Sequence, residues 1–213
     1  MRSLVRVLLV IVPVLAALIP PAQAAELHDR AGWYLGLGFG PARGAIWDSE
    51  QSDAVLWDTG SSPQVRLGKG LGQHFALGVE VQTWFVEGGT LGDDVPLQIK
   101  LRFTGNLWAV AGSWYPGSPD SFWGGFYLRA GAGPAIANYA AAVPDLEEPE
   151  TGQERQARFD EWGWGLVGTV GYELRVTRHF AAGLQVSSNY LWIDEDIDRM
   201  WYGGPVLQLN WYF

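Results

Sequence analysis

From residue 32 to residue 213 the sequence is written in a period of two. The sharpest stretch, "LQIKLRFTG", alternates Leu97, Ile99, Leu101 and Phe103 with Gln98, Lys100, Arg102 and Thr104. "GWYLGLGFG" sets Trp33, Leu35, Leu37 and Phe39 against Tyr34, Gly36, Gly38 and Gly40. "FALGVEVQTWFV" sets Phe75, Leu77, Val79 and Val81 against Ala76, Gly78, Glu80 and Gln82. Five more segments, "PQVRLGKG", "GFYLRAGAGPAIA", "WGWGLVGTVGYELR", "FAAGLQVSSNYLW" and "YGGPVLQLNWYF", bring the set to eight. Strands send successive side chains to opposite faces, whereas a helix needs a stripe of period 3.6, which no segment holds over three turns. Each segment is of the order of ten residues, the length a tilted strand needs to cross a bilayer.

The content of the two faces separates a membrane barrel from a soluble sandwich. One face is Leu, Ile, Val, Phe and Trp throughout. A sandwich would bury that face and expose a second one rich in Lys and Glu. Here the second face is Gly, Ala, Gln, Asn and Thr with a few charges, Arg66, Glu80, Lys100, Arg102, Arg129 and Glu173. Small residues suit the crowded interior of an eight-stranded cylinder, and closure removes the sheet edge that lipid cannot hydrate. The expected fold is therefore all-β: an eight-stranded antiparallel up-and-down transmembrane β-barrel. Its charged inward set would form a polar network that plugs the lumen.

Composition narrows the chemistry. Only 17% of residues are charged, while 28 are Gly and 12 are Trp. There is no Cys, so disulfides, thiol catalysis and thiolate metal sites drop out. A net charge of −9 argues against a nucleic-acid partner. The first residues stand apart: Arg2 and Arg6 precede the apolar run "VLLVIVPVLAALIP", and Ala22-Gln23-Ala24 offers a small-residue cleavage site. That reads as a secretory signal over 1–24, removed in the mature chain, followed by a short lead, 25–31, and the barrel domain, 32–213.

Charge also gives the connections two sides. Connections near 41–62, 87–95, 140–160 and 192–200 hold 17 of the 23 acidic residues. The intervening ones, near 68–74, 112–123 and 176–179, are short and nearly neutral. Two populations of connections, alternating in order, imply two different sides. An internal echo, "QHFALGVEV" and "RHFAAGLQV", opens a strand twice after a short turn. Trp84, Trp162, Trp164, Trp192 and Trp201 fall near the acidic end, and Trp33, Trp108, Trp123 and Trp211 near the other, as two interfacial girdles would require.

The chain closes on "LQLNWYF", with Leu209, Trp211 and Phe213 apolar and alternate. This ending resembles the assembly signal of bacterial outer-membrane barrel proteins. With "GWYLGLGFG" and "YLRAGAGPAIA" it makes residues 32–213 similar to the small eight-stranded outer-membrane β-barrel family, which includes the OmpA transmembrane domain, OmpX and OmpW. The resemblance implies an outer-membrane location, short periplasmic turns and longer outside loops, contact with lipid and lipopolysaccharide, and insertion by the barrel-assembly machinery through Leu209, Trp211 and Phe213; whether the barrel works alone or as an oligomer stays open. It brings no catalytic residue and no cofactor.

Three functions follow as expectations. The first is a non-catalytic envelope or surface-interaction protein acting through its acidic loops. The second is a narrow channel or carrier for small or apolar molecules, as in OmpW. The third, a lipid A-modifying enzyme, needs a Ser–His pair at the outer rim. The histidines are His28, His74 and His179; the last two sit in the echoed turn on the far side, and Ser187 and Ser188 lie over 20 Å along an extended strand from the acidic-loop-distant His179 at about 3.3 Å per residue. "GLGFGPARG" is read as strand packing and not as a phosphate loop, since no helix follows. "IDEDID" bunches Asp194, Glu195, Asp196 and Asp198, oxygen ligands that attract hard divalent cations without the spacing of an EF-hand.

Overall fold

The computed structural model describes residues 32–48, 56–90, 100–118, 121–144, 154–193 and 197–213. The signal and lead, His28, Asp194, Glu195 and Asp196 lie outside the described residues. Ten strands form one antiparallel sheet: β1 (Gly32–Phe39), β2 (Pro41–Asp48), β3 (Leu56–Ser61), β4 (Gln64–Gly70), β5 (Phe75–Thr90), β6 (Lys100–Trp114), β7 (Phe126–Pro144), β8 (Glu154–Arg175), β9 (Phe180–Ile193) and β10 (Ile197–Tyr212). Strand β1 pairs with β4 on one side and β10 on the other, which shuts the ring. Beyond β10, Phe213 exchanges both backbone hydrogen bonds with Trp33, each 2.9 Å.

The ten strands build eight walls, because β1 with β2 and β3 with β4 are single walls interrupted by proline. Pro41 has no N–H to give the ladder. Beside it Gly40 packs so close to the backbone of Pro205 that any side chain there would strike the carbonyl oxygen. Pro63 breaks the neighbouring wall at the same level, where the Ser62 N–H reaches the Gly40 carbonyl at 2.8 Å. Paired positions followed around the ring run Leu35, Leu67, Val79, Val110, Ala132, Leu166, Tyr190, Trp201 and Ala45. The path returns ten residues further along the first wall, a stagger that tilts the strands by roughly 40° and leaves room inside for side chains only.

Faces divide as a bilayer demands. Leu35, Leu37, Val65, Leu67, Leu77, Val79, Val110, Leu166, Val170, Val186 and Leu207 are exposed on the outside, and Arg66, Glu80, Gln82, Arg129, Glu173, Gln185, Gln208 and Asn210 are buried inside. Glycines of "GLGFGPARG" (Gly36, Gly38, Gly40, Gly44) are buried on the inner side.

Four expectations change. The connection placed at 41–62 is largely strand, and those at 87–95, 140–160 and 192–200 lose residues to β5, β7, β8, β9 and β10. Backbone ladders continue past the membrane without an alternating pattern to mark them. Strand β8 has 22 residues, roughly 70 Å of chain and about 50 Å of height at that tilt, against an apolar band of about 25 Å. Second, Phe103 and Leu107 are buried in the lumen, so the inward phase of β6 is opposite to the one read from "LQIKLRFTG". The side chains of Lys100 and Arg102 lie outside the described residues. Third, Trp84 is no girdle residue; it is fully buried, stacked on Tyr202 at 5.8 Å and tilted against Phe103 at 5.6 Å. Fourth, part of the lumen is apolar.

The echo is a structural repeat. Leu71 donates to the Phe75 carbonyl at 2.8 Å and Val176 to the Phe180 carbonyl at 2.9 Å. The match runs on into the next strand. Tyr115 donates to the His74 carbonyl at 2.8 Å, and Tyr212 to that of His179 at 2.9 Å. Ser113-Trp114-Tyr115 thereby answers Asn210-Trp211-Tyr212, four walls apart.

Candidate functional site: the filled lumen

Lumen-facing residues change character along each wall. From the short-turn end, β9 presents Ala181, Gln185, Ser187, Asn189, Leu191 and Ile193. On β10 the order is Tyr212, Asn210, Gln208, Val206, Tyr202 and Met200. On these two walls the lower storey is therefore polar and the upper one, towards the acidic hairpins, apolar; on β8 the buried Glu161 lies at the upper end.

The lower storey is one connected network. The Arg129 Nη1 lies 3.5 Å from Glu80 Oε2, and its Nε donates to Ser113 Oγ at 2.9 Å. Gln82 donates to Glu80 Oε1 at 3.0 Å, and Gln64 to Gln82 at 3.1 Å. Gln185 donates to Gln64 at 2.6 Å, and its own oxygen accepts from Tyr127 at 2.5 Å. Arg66 donates to the side-chain oxygens of Gln208 at 2.5 Å, Asn210 at 3.3 Å and Gln185 at 3.4 Å. Its guanidinium is spread over amide dipoles, and Gly36 leaves the space beside it: a side chain there would meet Arg66 and Asn210. Glu173 accepts from Tyr212 at 2.7 Å and from Asn210, and pairs with Arg175 at 3.6 Å. The Arg175 guanidinium also sits over the Tyr212 ring, 3.3 Å from its centroid.

Of the six charged residues picked out in the sequence, Arg66, Glu80, Arg129 and Glu173 meet here. Sequence reasoning missed Arg175, whose signal was its place two residues after Glu173 on the same strand face. It also missed the amides Gln64, Gln185 and Gln208, which carry most of the links. A charge left alone in such an interior costs several kcal/mol, so these amides are what make three buried guanidiniums tolerable beside Glu80 and Glu173.

Above them Trp84, Val86, Phe103, Leu107, Leu191, Ile193, Met200 and Tyr202 form one apolar cluster. It is close-packed: a methyl added to Gly105 would strike Met200, and one added to Gly165 would strike Leu191 and Leu107. Tyr202 spends its hydroxyl on the Gln82 carbonyl at 3.1 Å, which ties the two storeys together.

Outside, Trp162, Trp164 and Trp192 are exposed near the hairpin end and Trp33, Trp114, Trp123 and Trp211 near the turn end. The closed ring of eight walls is similar in fold to solved structures. Ail, the attachment invasion locus protein of Yersinia pestis, solved with the heparin analogue sucrose octasulfate, is 10% identical over 85% of this chain and 99% of its own, with a TM-score of 0.51. The chain has the fold of an eight-stranded outer-membrane β-barrel. Neisserial surface protein A shares 16% identity over 86% of this barrel and 98% of its own chain at a TM-score of 0.46. OprG from Pseudomonas aeruginosa shares 14% over 88% and 98% at 0.44. No family model matches the sequence, and no curated protein does.

The remaining candidates of the barrel fall into place. His74 and His179 each engage a backbone carbonyl with Nδ1, Tyr115 at 2.8 Å and Tyr212 at 3.0 Å. Ser187 is buried and accepts from Gln64 at 3.2 Å; Ser188 accepts from the Trp201 indole at 2.8 Å. Asp198 is exposed and pairs with Arg199 at 3.5 Å. No cluster of three metal-ligating side chains occurs among the described residues. Leu209, Trp211 and Phe213 lie on the outer face of the closing wall, with Phe213 70% exposed.

Proposed function

We propose that this outer-membrane barrel is a non-catalytic anchor that holds acidic β-hairpins at the cell surface. The observation that carries the reading is a lumen filled at two successive levels, polar then apolar. Hairpin arms of 19 residues in β7 and 22 in β8 add support, because they reach well beyond the bilayer. Asp58 on β3, Asp160 on β8 and Asp198 on β10 lie at the same upper end. Lipopolysaccharide would surround the upper wall, and Leu209, Trp211 and Phe213 offer the exposed row that the assembly machinery would take during insertion. His74 and His179, committed to backbone carbonyls at the turn end, give acyl chemistry at the other rim no base.

A second reading has one observation in its favour: the apolar upper lumen suits a carrier of small apolar molecules. Its packing opposes that reading, since aromatic and aliphatic side chains occupy the path. Planar-bilayer recording separates the two. The anchor gives no steady conductance; long-lived openings of uniform size would overturn the plug. Uptake of a small apolar dye into vesicles only when the protein is inserted would restore the carrier.

A further inference from the structure

A second polar chain runs across the outer wall, where lipid should lie. Thr83 Oγ1 donates to Asn106 Oδ1 at 2.9 Å, Asn106 Nδ2 to Asn138 Oδ1 at 3.3 Å, and Asn138 Nδ2 to Asp160 Oδ1 at 2.6 Å. These residues belong to β5, β6, β7 and β8, so the chain crosses four adjacent walls. It sits on their outer sides, with Asp160 exposed, Asn106 and Asn138 half-buried, and Thr83 covered by its neighbours. Phe85, Trp108 and Trp162, each two residues from a member on the same strand face, are exposed. Thr83 lies between Val81 and Phe85, inside the apolar band, and the chain rises with the stagger to Asp160, beyond the Trp162 girdle.

Hydrocarbon does not tolerate such groups unless they find partners. The chain satisfies part of the demand internally and aligns each amide on the next, ending on a carboxylate that strengthens the row. Each asparagine has two N–H bonds and gives one to its neighbour. A second N–H on Asn106 and on Asn138 thus remains for a molecule lying against the wall.

We propose that Thr83, Asn106, Asn138 and Asp160 form a contact for an outer-leaflet glycolipid, seating the amide and hydroxyl groups where a lipopolysaccharide's sugar head joins its acyl chains. Depth selects this occupant: the chain begins in the apolar band and ends at the aromatic rim, where that junction lies. Asn106 and Asn138 suit neutral donors and acceptors such as the amide and hydroxyl groups at that junction. The inference rests on the reading that the acidic hairpins face the cell exterior.

The test uses the full-length protein in phosphatidylcholine vesicles with and without added lipopolysaccharide. The readout is the temperature at which the folded, fast-migrating gel band converts to the unfolded one. Lipopolysaccharide should raise this temperature for the wild-type barrel, and Asn106→Leu/Asn138→Leu should lose at least half of the rise while keeping its phosphatidylcholine value. Thr83→Val provides the same comparison if the double variant folds poorly. An equal rise in both proteins overturns the contact. So does a variant that is weakened equally in phosphatidylcholine alone, which would make a phospholipid the occupant, or a midpoint that climbs with protein concentration, which would make it a second copy. Protease added to intact cells keeps the two readings apart. If the β7–β8 hairpin is cut and the rise is unchanged, only this contact fails; if it is protected, the orientation fails first.

Discussion

The two storeys of the lumen solve one problem by opposite means. Both must fill a cylinder whose outer wall is committed to lipid. The lower storey uses charge and amides, and every member depends on several others: Gln185 alone links Arg66, Gln64, Tyr127 and Arg129. The upper storey uses shape, with Trp84, Leu107, Leu191 and Met200 fully buried and interdigitated. Apolar packing loses stability in proportion to the volume removed. A buried ionic network loses it according to which partner is left behind. Plugging a barrel and stabilising it are therefore separable, and the storeys should respond differently to paired substitutions.

The largest effect is expected below. Glu80→Leu strands Arg129 in the interior and should cost about 3–5 kcal/mol in urea unfolding from vesicles. Adding Arg129→Met should recover most of it, because the double variant leaves no unpaired charge. A double variant as weak as the single one would mean that the network matters through its amides and not its charges. Next comes the upper storey, where Leu191→Ala should cost about 2–5 kcal/mol. Here the rescue is steric. Gly165→Ala clashes with Leu191 in the native barrel, yet in the Leu191→Ala background its methyl enters the vacated space, so the two changes together should be milder than their sum.

Between the storeys stands Asn189, fully buried, with neither Oδ1 nor Nδ2 hydrogen-bonded among the described residues. It is the last polar residue of β9 before Leu191 and Ile193. Asn189→Leu should move the boundary one position down and stabilise the barrel, by about 1–3 kcal/mol, the cost of the unmade hydrogen bonds. A loss in the same unfolding assay would show that the boundary is fixed where it stands.

Much of this was legible in the sequence. Period two, the content of the faces and the closing Phe213 carry the barrel, since lipid accepts only apolar surface and a closed ladder. The lower storey was half legible: Arg66, Glu80, Arg129 and Glu173 stand out because charge is rare in these strands. The upper storey was not. Phe103 read as lipid-facing, because an apolar residue fits either a lipid wall or an apolar core and only the register tells them apart. Trp84 read as a girdle for the same reason. The reach of β7 and β8 was hidden because both faces are mixed above the bilayer, where alternation no longer marks a strand.

The smallest effect tests whether burial, and not geometry, sets these costs. Arg199 and Asp198 lie 3.5 Å apart, the same separation as Arg129 and Glu80. The side chains of the upper pair are 40% and 51% exposed, those of the lumen pair 3% and 2%. Water screens the first and not the second. Arg199→Gln should therefore change stability by less than about 1 kcal/mol, and its effect should shrink further in salt, whereas the Glu80→Leu loss should persist. Arg199 also lies over the Trp47 ring at 5.5 Å, an exposed contact of the same modest order. A loss comparable to that of Glu80→Leu, unmoved by salt, would place the energetic weight of the barrel on its hairpin arms and out of its lumen.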